Sequence, residues 1–196
     1  LLSIGSDPTT LSPDPNHNYL AQALGLGAKG SASENFRADS AQLNHAYLPW
    51  KPGWTGKVDR HGAGKSLSLQ ATKTENINGI NCLLLENTSP HGTWKSRWFA
   101  RDNQGTIWII REKRGQHLVE LRHPFLPSNP EAGWKSWTNI SAIPEEHVIL
   151  GSLSSKVRLH AGEILEDCIR IIVHTSEGTR IEHYAVGRGL VKTETQ

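Results

Sequence analysis

From Pro49 to the C-terminus, apolar and polar residues alternate with a period of two. Runs of Val, Ile, Thr, Trp and Leu are broken by short Gly, Asn, Asp and Pro turns, the pattern of half-buried strands. The spacing predicts strands over 55–60, 66–75, 82–88, 93–101, 106–113 and 117–122. A long, bent strand follows over 147–160, then 168–175, 179–185 and 190–195. Because the links are short, strands adjacent in sequence should pair antiparallel. One hairpin can be worked out residue by residue. A four-residue turn, Asp102 to Gly105, sets Arg101 against Thr106, Phe99 against Trp108, Arg97 against Ile110 and Lys95 against Glu112. The aromatic pair and the ion pair both favour that register. Both faces of this hairpin carry apolar groups near the turn, so both should be covered, by sheet curvature or by another segment.

Residues 1–46 read differently. They hold Pro8, Pro13 and Pro15 among Ser, Asn, Ala and Gly, with Tyr19 and Phe36 as the aromatic residues. Asp14 before Pro15 has the form of a cap and first helical turn, and Gly25 could end that helix. Ser31 and Glu34 have the spacing of a capping box, which predicts a second short helix. Neither helix would stand alone in water. The expected fold is therefore all-β: a single curved antiparallel sheet, or an open or half barrel, over 47–196, with an N-terminal arm of short helices over 1–46. Leu20, Leu24, Phe36, Leu43 and Tyr47 are the apolar anchors with which the arm would grip a partner or its own sheet.

Composition narrows the class without naming a task. Twenty-one Lys and Arg against nineteen Asp and Glu leave a net charge of +2, so no nucleic-acid partner is expected. No run of 18 apolar residues is present, so any membrane association would have to come through an anchor before residue 1. The chain lacks Met, and Leu1 to Gly5 resembles the tail of an apolar leader. The expectation is an exported, periplasmic or extracellular protein. Cys82 and Cys168 fit either a disulfide or two small buried side chains.

An internal echo links two segments. Cys82, Gly92-Thr93 and Phe99-Ala100 recur as Cys168, Gly178-Thr179 and Tyr184-Ala185, with ten residues from Cys to Gly in each. The reading is a repeated three-strand meander with the cysteines in equivalent places. The run His183-Tyr184-Ala185-Val186-Gly187-Arg188-Gly189-Leu190-Val191-Lys192 resembles the closing motif of a group of exported bacterial proteins of unknown function. Leu48-Pro49, Gly53-Trp54-Thr55, Asn78-Gly79-Ile80-Asn81-Cys82, Asp102 to Trp108 and Asp167-Cys168 match the order of that group's other motifs. The resemblance covers about residues 47–195. It implies a curved, mostly antiparallel sheet in a periplasmic protein or lipoprotein, and it brings no shared catalytic residues.

Candidate chemistry is sparse. His61-Gly62-Ala63-Gly64-Lys65-Ser66 looks like a phosphate loop, but the motif needs Gly at position 59, where Asp59 stands, and a helix after Ser66. His174 and His183, flanking the turn at Glu177-Gly178, would lie on one face as diagonal neighbours, without a third ligand from Glu182. No HExxH, CxxC or Gly-x-Ser-x-Gly pattern occurs. No catalytic residue, cofactor or metal is therefore expected. Seven Trp residues invite a stacking reading. Trp98 and Trp108 suit the core, and Trp134 and Trp137, in a Pro- and Gly-flanked loop, are the candidate ligand surface. The leading expectation is a non-enzymatic subunit that contacts a protein partner or a second copy of itself. The alternatives are a carrier of a lipid or other apolar ligand and a carbohydrate-binding module.

Overall fold

Antiparallel hairpins build most of a single sheet in the computed structural model, which describes residues 32–60, 66–89, 92–137, 147–175 and 178–196. Eleven strands are present: β1 (Thr55–Arg60), β2 (Leu67–Ile77), β3 (Ile80–Ser89), β4 (Gly92–Arg101), β5 (Ile107–Arg114) and β6 (His117–Leu126). The others are β7 (Lys135–Trp137), β8 (His147–Arg158), β9 (Ile164–Thr175), β10 (Gly178–Ala185) and β11 (Gly189–Thr195). Their order is β6-β5-β4-β3-β2-β1-β11-β10-β9-β8-β7, and the sheet curls until it is nearly closed into a barrel. Every neighbouring pair is antiparallel except β1 and β11, which run parallel, with Asp59 opposite Lys192. The expected all-β barrel-like fold is present, as a mixed sheet.

β7 has no counterpart in the predicted set. It is three residues long and lies in a segment with turn composition. Its role is closure. Ser136 donates its hydroxyl to the Pro124 carbonyl at 2.7 Å and meets His123 Nε2 at 2.9 Å, which joins the two edge strands, β6 and β7. This seam brings the two edges of the sheet together at Ser136.

The β4–β5 register differs from expectation by one residue, and the turn explains why. Asp102 and Thr106 are tied by a backbone hydrogen bond, so Arg101 faces Ile107. Asp102 Oδ1 accepts from the amides of Gln104 and Thr106, each at 2.9 Å, and Gly105 takes the left-handed conformation, φ 88°, that this longer turn requires. A bulge then adds a residue on β5 at Ile110. Phe99 therefore faces Ile109, Trp98 faces Arg111 and Arg97 faces Glu112. Lys95 lies opposite Arg114.

Residues 36–50 belong to the same compact unit as the barrel, which begins at Asn35 rather than at the expected residue 47. The predicted second helix is a single 3-10 turn, Ala32–Asn35. The strap that follows is sewn down outside the β4–β5 hairpin. Arg101 donates its amide to the Ser40 carbonyl at 2.8 Å, Ser40 Oγ donates to the Asn81 carbonyl at 2.7 Å, and Phe36 meets Trp108 edge-on at 6.1 Å. The chain then turns under the barrel. Gly187 donates its amide to the Ala46 carbonyl, and Leu43, Leu48 and Trp50 join the inner core at 1%, 0% and 3% exposure. This end is plugged; the opposite end is where β1 and β11 finish and β4 and β10 begin.

The internal echo is visible in three dimensions. Leu83, one residue after Cys82, faces Phe99 across β3 and β4. Ile169, one residue after Cys168, faces Tyr184 across β9 and β10. Both cysteines are buried free thiols, not bridged.

Candidate functional site

The inward face of β4 reads Lys95, Arg97, Phe99, and that of β10 reads Arg180, Glu182, Tyr184. In both copies of the echo the aromatic residue lies toward the plugged end and the charges toward the other. Phe99 and Tyr184 meet in an aromatic floor with Trp50 and Phe125. Ring centroids are 5.1 Å apart for Trp50 and Phe99, 6.4 Å for Trp50 and Tyr184, and 5.9 Å for Phe125 and Tyr184. These edge-on and tilted contacts are the favoured arrangement for aromatic packing.

Above that floor the barrel interior is ionic. Glu112 on β5, 1% exposed, takes Arg97 Nε on Oε2 at 2.5 Å and Lys95 Nζ on the same oxygen at 3.3 Å, while Arg114 bonds Oε1. Burial alone would raise the carboxyl pKa, but the three cations reverse this and hold it well below the usual carboxylate range. Glu182, 3% exposed, accepts from Arg180 Nε and from the Tyr184 hydroxyl, both at 2.7 Å. Burial again opposes ionisation; Arg180, then Arg97 and the tyrosine hydrogen bond, overcome it and bring the Glu182 carboxyl to about 2. The Tyr184 hydroxyl is pushed well above its ordinary value by burial and by Glu182. Both carboxylates are therefore charged at neutral pH, and both are already engaged.

Between the rings and the charges lies a cavity of about 90 Å³. Its floor is Trp50, Phe99 and Tyr184; its sides include Leu69, Leu85, Lys95, Arg97, Arg180 and Glu182. Toward the end where β1 and β11 finish, Arg60 and Thr195, both exposed, also line it. One water-sized group takes about 10–15 Å³ of such volume, so the space suits about six to nine non-hydrogen atoms.

The residues singled out from the sequence fall elsewhere. Leu20 and Leu24 lie outside the described residues. Leu43 is a core residue of the barrel's own plug, Tyr47 packs against that core, and Phe36 rests on Trp108. These three side chains are occupied by their own domain. Trp134 is half-buried against the core rather than laid open as a surface. Trp137 pairs with His147 through the backbone of β7, and its side chain lies outside the described residues. Most of the phosphate-loop lookalike, 61–65, also lies outside them. Thr179 and Arg170 stand opposite His174 and His183, so the two histidines are not diagonal neighbours. Trp98 and Trp108 are 7% and 6% exposed, as expected of packed residues.

Sequence reasoning missed the ionic interior. Charged residues alternating along a strand normally mark the solvent face. The available signal was the sharing of one face by charges and a large aromatic, as in Lys95, Arg97, Phe99 and again in Arg180, Glu182, Tyr184. Matched against protein-family models, curated proteins and solved structures, the chain finds no similar protein.

Proposed function

We propose that this chain acts by binding rather than by catalysis, and that it holds a small molecule in the cavity inside its barrel. The observation carrying this reading is the 90 Å³ cavity with an aromatic floor and basic walls. A pocket that joins apolar surface to a few convergent polar groups is the usual form of a small-ligand site. Its size favours a compact ligand over a long-chain lipid. The arm-and-partner reading is weakened because Phe36, Leu43 and Tyr47 serve their own domain. The sugar reading is weakened because Trp134 is packed.

A thermal-shift screen of the intact chain against small acids, alcohols and amines tests this. A ligand that binds only the folded state raises the melting temperature as its concentration passes Kd. At least one chemical class should raise it by several degrees, in a saturable manner. Flat melting curves for all classes up to millimolar concentration would overturn the reading.

A further inference from the structure

The geometry points to a latch: the far end of the β8–β9 hairpin folds back over the outside of the barrel, holds the β1–β11 junction shut, and lifts as a unit while the barrel stays folded. The latch does not depend on what the cavity holds.

The bend is written in the register. β8 and β9 pair regularly from His147 opposite His174 to Leu150 opposite Ile171, and the ladder then shifts three times before Arg158 meets Ile164. Extra residues in a strand bend it and increase its twist. Asp167 takes a left-handed φ of 53°, and Ser155 Oγ donates to the Cys168 carbonyl at 2.8 Å beside it. The direction of the bend follows from what the tip touches. The His160 amide donates to Asp59 Oδ2 on β1, and Glu163 pairs with Arg188, in the β10–β11 turn, at 2.8 Å. The hairpin therefore crosses β10 and β11, which stand between β9 and β1 in the sheet.

Under it lies a small apolar layer on the outside of the barrel. Val157, Cys168, Ala185 and Val191 are buried together, with Leu159 and Leu165 packed against them. Ala185 and Val191 each follow an inward core residue, Tyr184 and Leu190, so they face outward and would be exposed on a bare barrel. The tip itself, from His160 to Ile164, is exposed. Among the described contacts, lifting it breaks those of Val157, Leu159 and Leu165 and the two polar tethers, while the hairpin keeps its own ladder. A segment held by so few contacts opens far more often than the whole fold. The latch also has something to guard. The pairing of β1 with β11 is short, Asp59 opposite Lys192 and Arg60 opposite Thr193, and the tip is bonded to the first of these residues. Arg60 and Thr193 also line the cavity, so the latch clamps one of its walls.

The two native thiols report on this motion. Cys168 is covered by the hairpin, Cys82 lies on β3, and both are buried. Timed labelling of the full chain with N-ethylmaleimide, read by peptide mass spectrometry, follows each separately. Cys168 should label at least tenfold faster than the unfolding equilibrium from a urea melt allows, and its rate should hardly change in mild urea. A Cys168 rate that follows global unfolding would overturn the latch.

Two variants locate the tethers. Leu159→Ala removes a hairpin contact without altering β1 or β11. It should speed Cys168 labelling at least fivefold and leave Cys82 labelling unchanged. Asp59→Ala, which releases the tip, should do the same. Both thiols gaining equally, or neither gaining, would overturn the latch. Hydrogen exchange over residues 58–60 and 191–193 should quicken in Leu159→Ala together with Cys168 labelling. Faster labelling with unchanged exchange there would overturn the hold on the junction.

Discussion

Arg97 on β4 faces Glu112 on β5 across the barrel wall, its Nε 2.5 Å from Glu112 Oε2, in a place where the carboxylate is 1% exposed. Lys95 and Arg114 complete the shell around that carboxylate. Breaking a buried pair by removing one partner costs about 3–5 kcal/mol, because the surviving charges remain buried without compensation. Glu112→Ala should lose stability in that range, and a urea melt followed by circular dichroism measures it. A loss below 1 kcal/mol would mean that water reaches the cluster freely.

The two interior carboxylates make acid sensitivity a property of this wall. Both pKa values are depressed in the folded state, with Glu182 at about 2. Their stabilisation is therefore fully present above the ordinary carboxylate pKa and is lost as pH falls from about 4.5 toward about 2. Melting temperature should drop steeply through that window. Glu182→Gln, though less stable at pH 7, should show a shallower drop between pH 4.5 and 2. An equally steep profile in the variant would assign the acid transition to other groups.

The strap under the barrel carries a gentler pH dependence. His45 Nδ1 accepts the Tyr47 amide at 3.3 Å, so Nε2 bears the proton donated to the Pro127 carbonyl at 3.2 Å. Burial lowers the His45 pKa, with the Pro127 contact partly opposing it. A depressed pKa means that the neutral ring stabilises the fold above about 6.5 and that this contribution fades as pH falls below it. Amide exchange at Tyr47 and Leu48, corrected for intrinsic rates, should quicken between pH 6.5 and 5. Unchanged protection would show that His45 does not latch the strap.

Leu43 tests whether the strap is structural. At 1% exposure it lies in the inner core, so Leu43→Ala should cost about 2–5 kcal/mol. Deleting residues 1–44 would remove Leu43 together with the Phe36 contact on Trp108 and should lower the melting temperature further. A truncated chain that melts like the full-length one would return these residues to the partner-binding role.

Gly189 begins β11 directly against Trp50. A Cβ there would sit 2.5 Å from the indole Nε1, and φ is +79°. Gly189→Ala combines backbone strain with a clash in the core, and should cost about 2–4 kcal/mol by thermal denaturation. Gly53, also at positive φ, has no atom near its Cβ direction, so Gly53→Ala should cost less.

The legible and illegible parts of this fold divide along physical lines. Ten strands could be read because alternation is a local property of each segment. β7 could not, since three residues carry too little pattern to stand out beside Gly133 and the prolines of its loop. The parallel β1–β11 contact was hidden because nothing near Val58 encodes its distant partner. The hairpin register slipped because Asp102 lengthens the turn through its own side chain. The echo of Cys82 to Phe99 in Cys168 to Tyr184 did mark equivalent inward positions. The cavity escaped because charged residues such as Lys95 and Arg180 normally mark a solvent face, and only the curl of the sheet turns them inward.

The parallel contact between β1 and β11 also governs when this molecule can exist. β1 is made early and β11 near the C-terminus, so during synthesis the first strand waits for a neighbour encoded more than a hundred residues later. Non-local pairings of this kind slow folding, because the loop must close before the contact rewards it. Until residues 189–195 emerge from the ribosome, one side of β1 offers an unsatisfied strand edge. The nascent chain is then most exposed to mispairing and to aggregation. Truncations at the C-terminus should therefore damage solubility more than loss of one short strand would suggest.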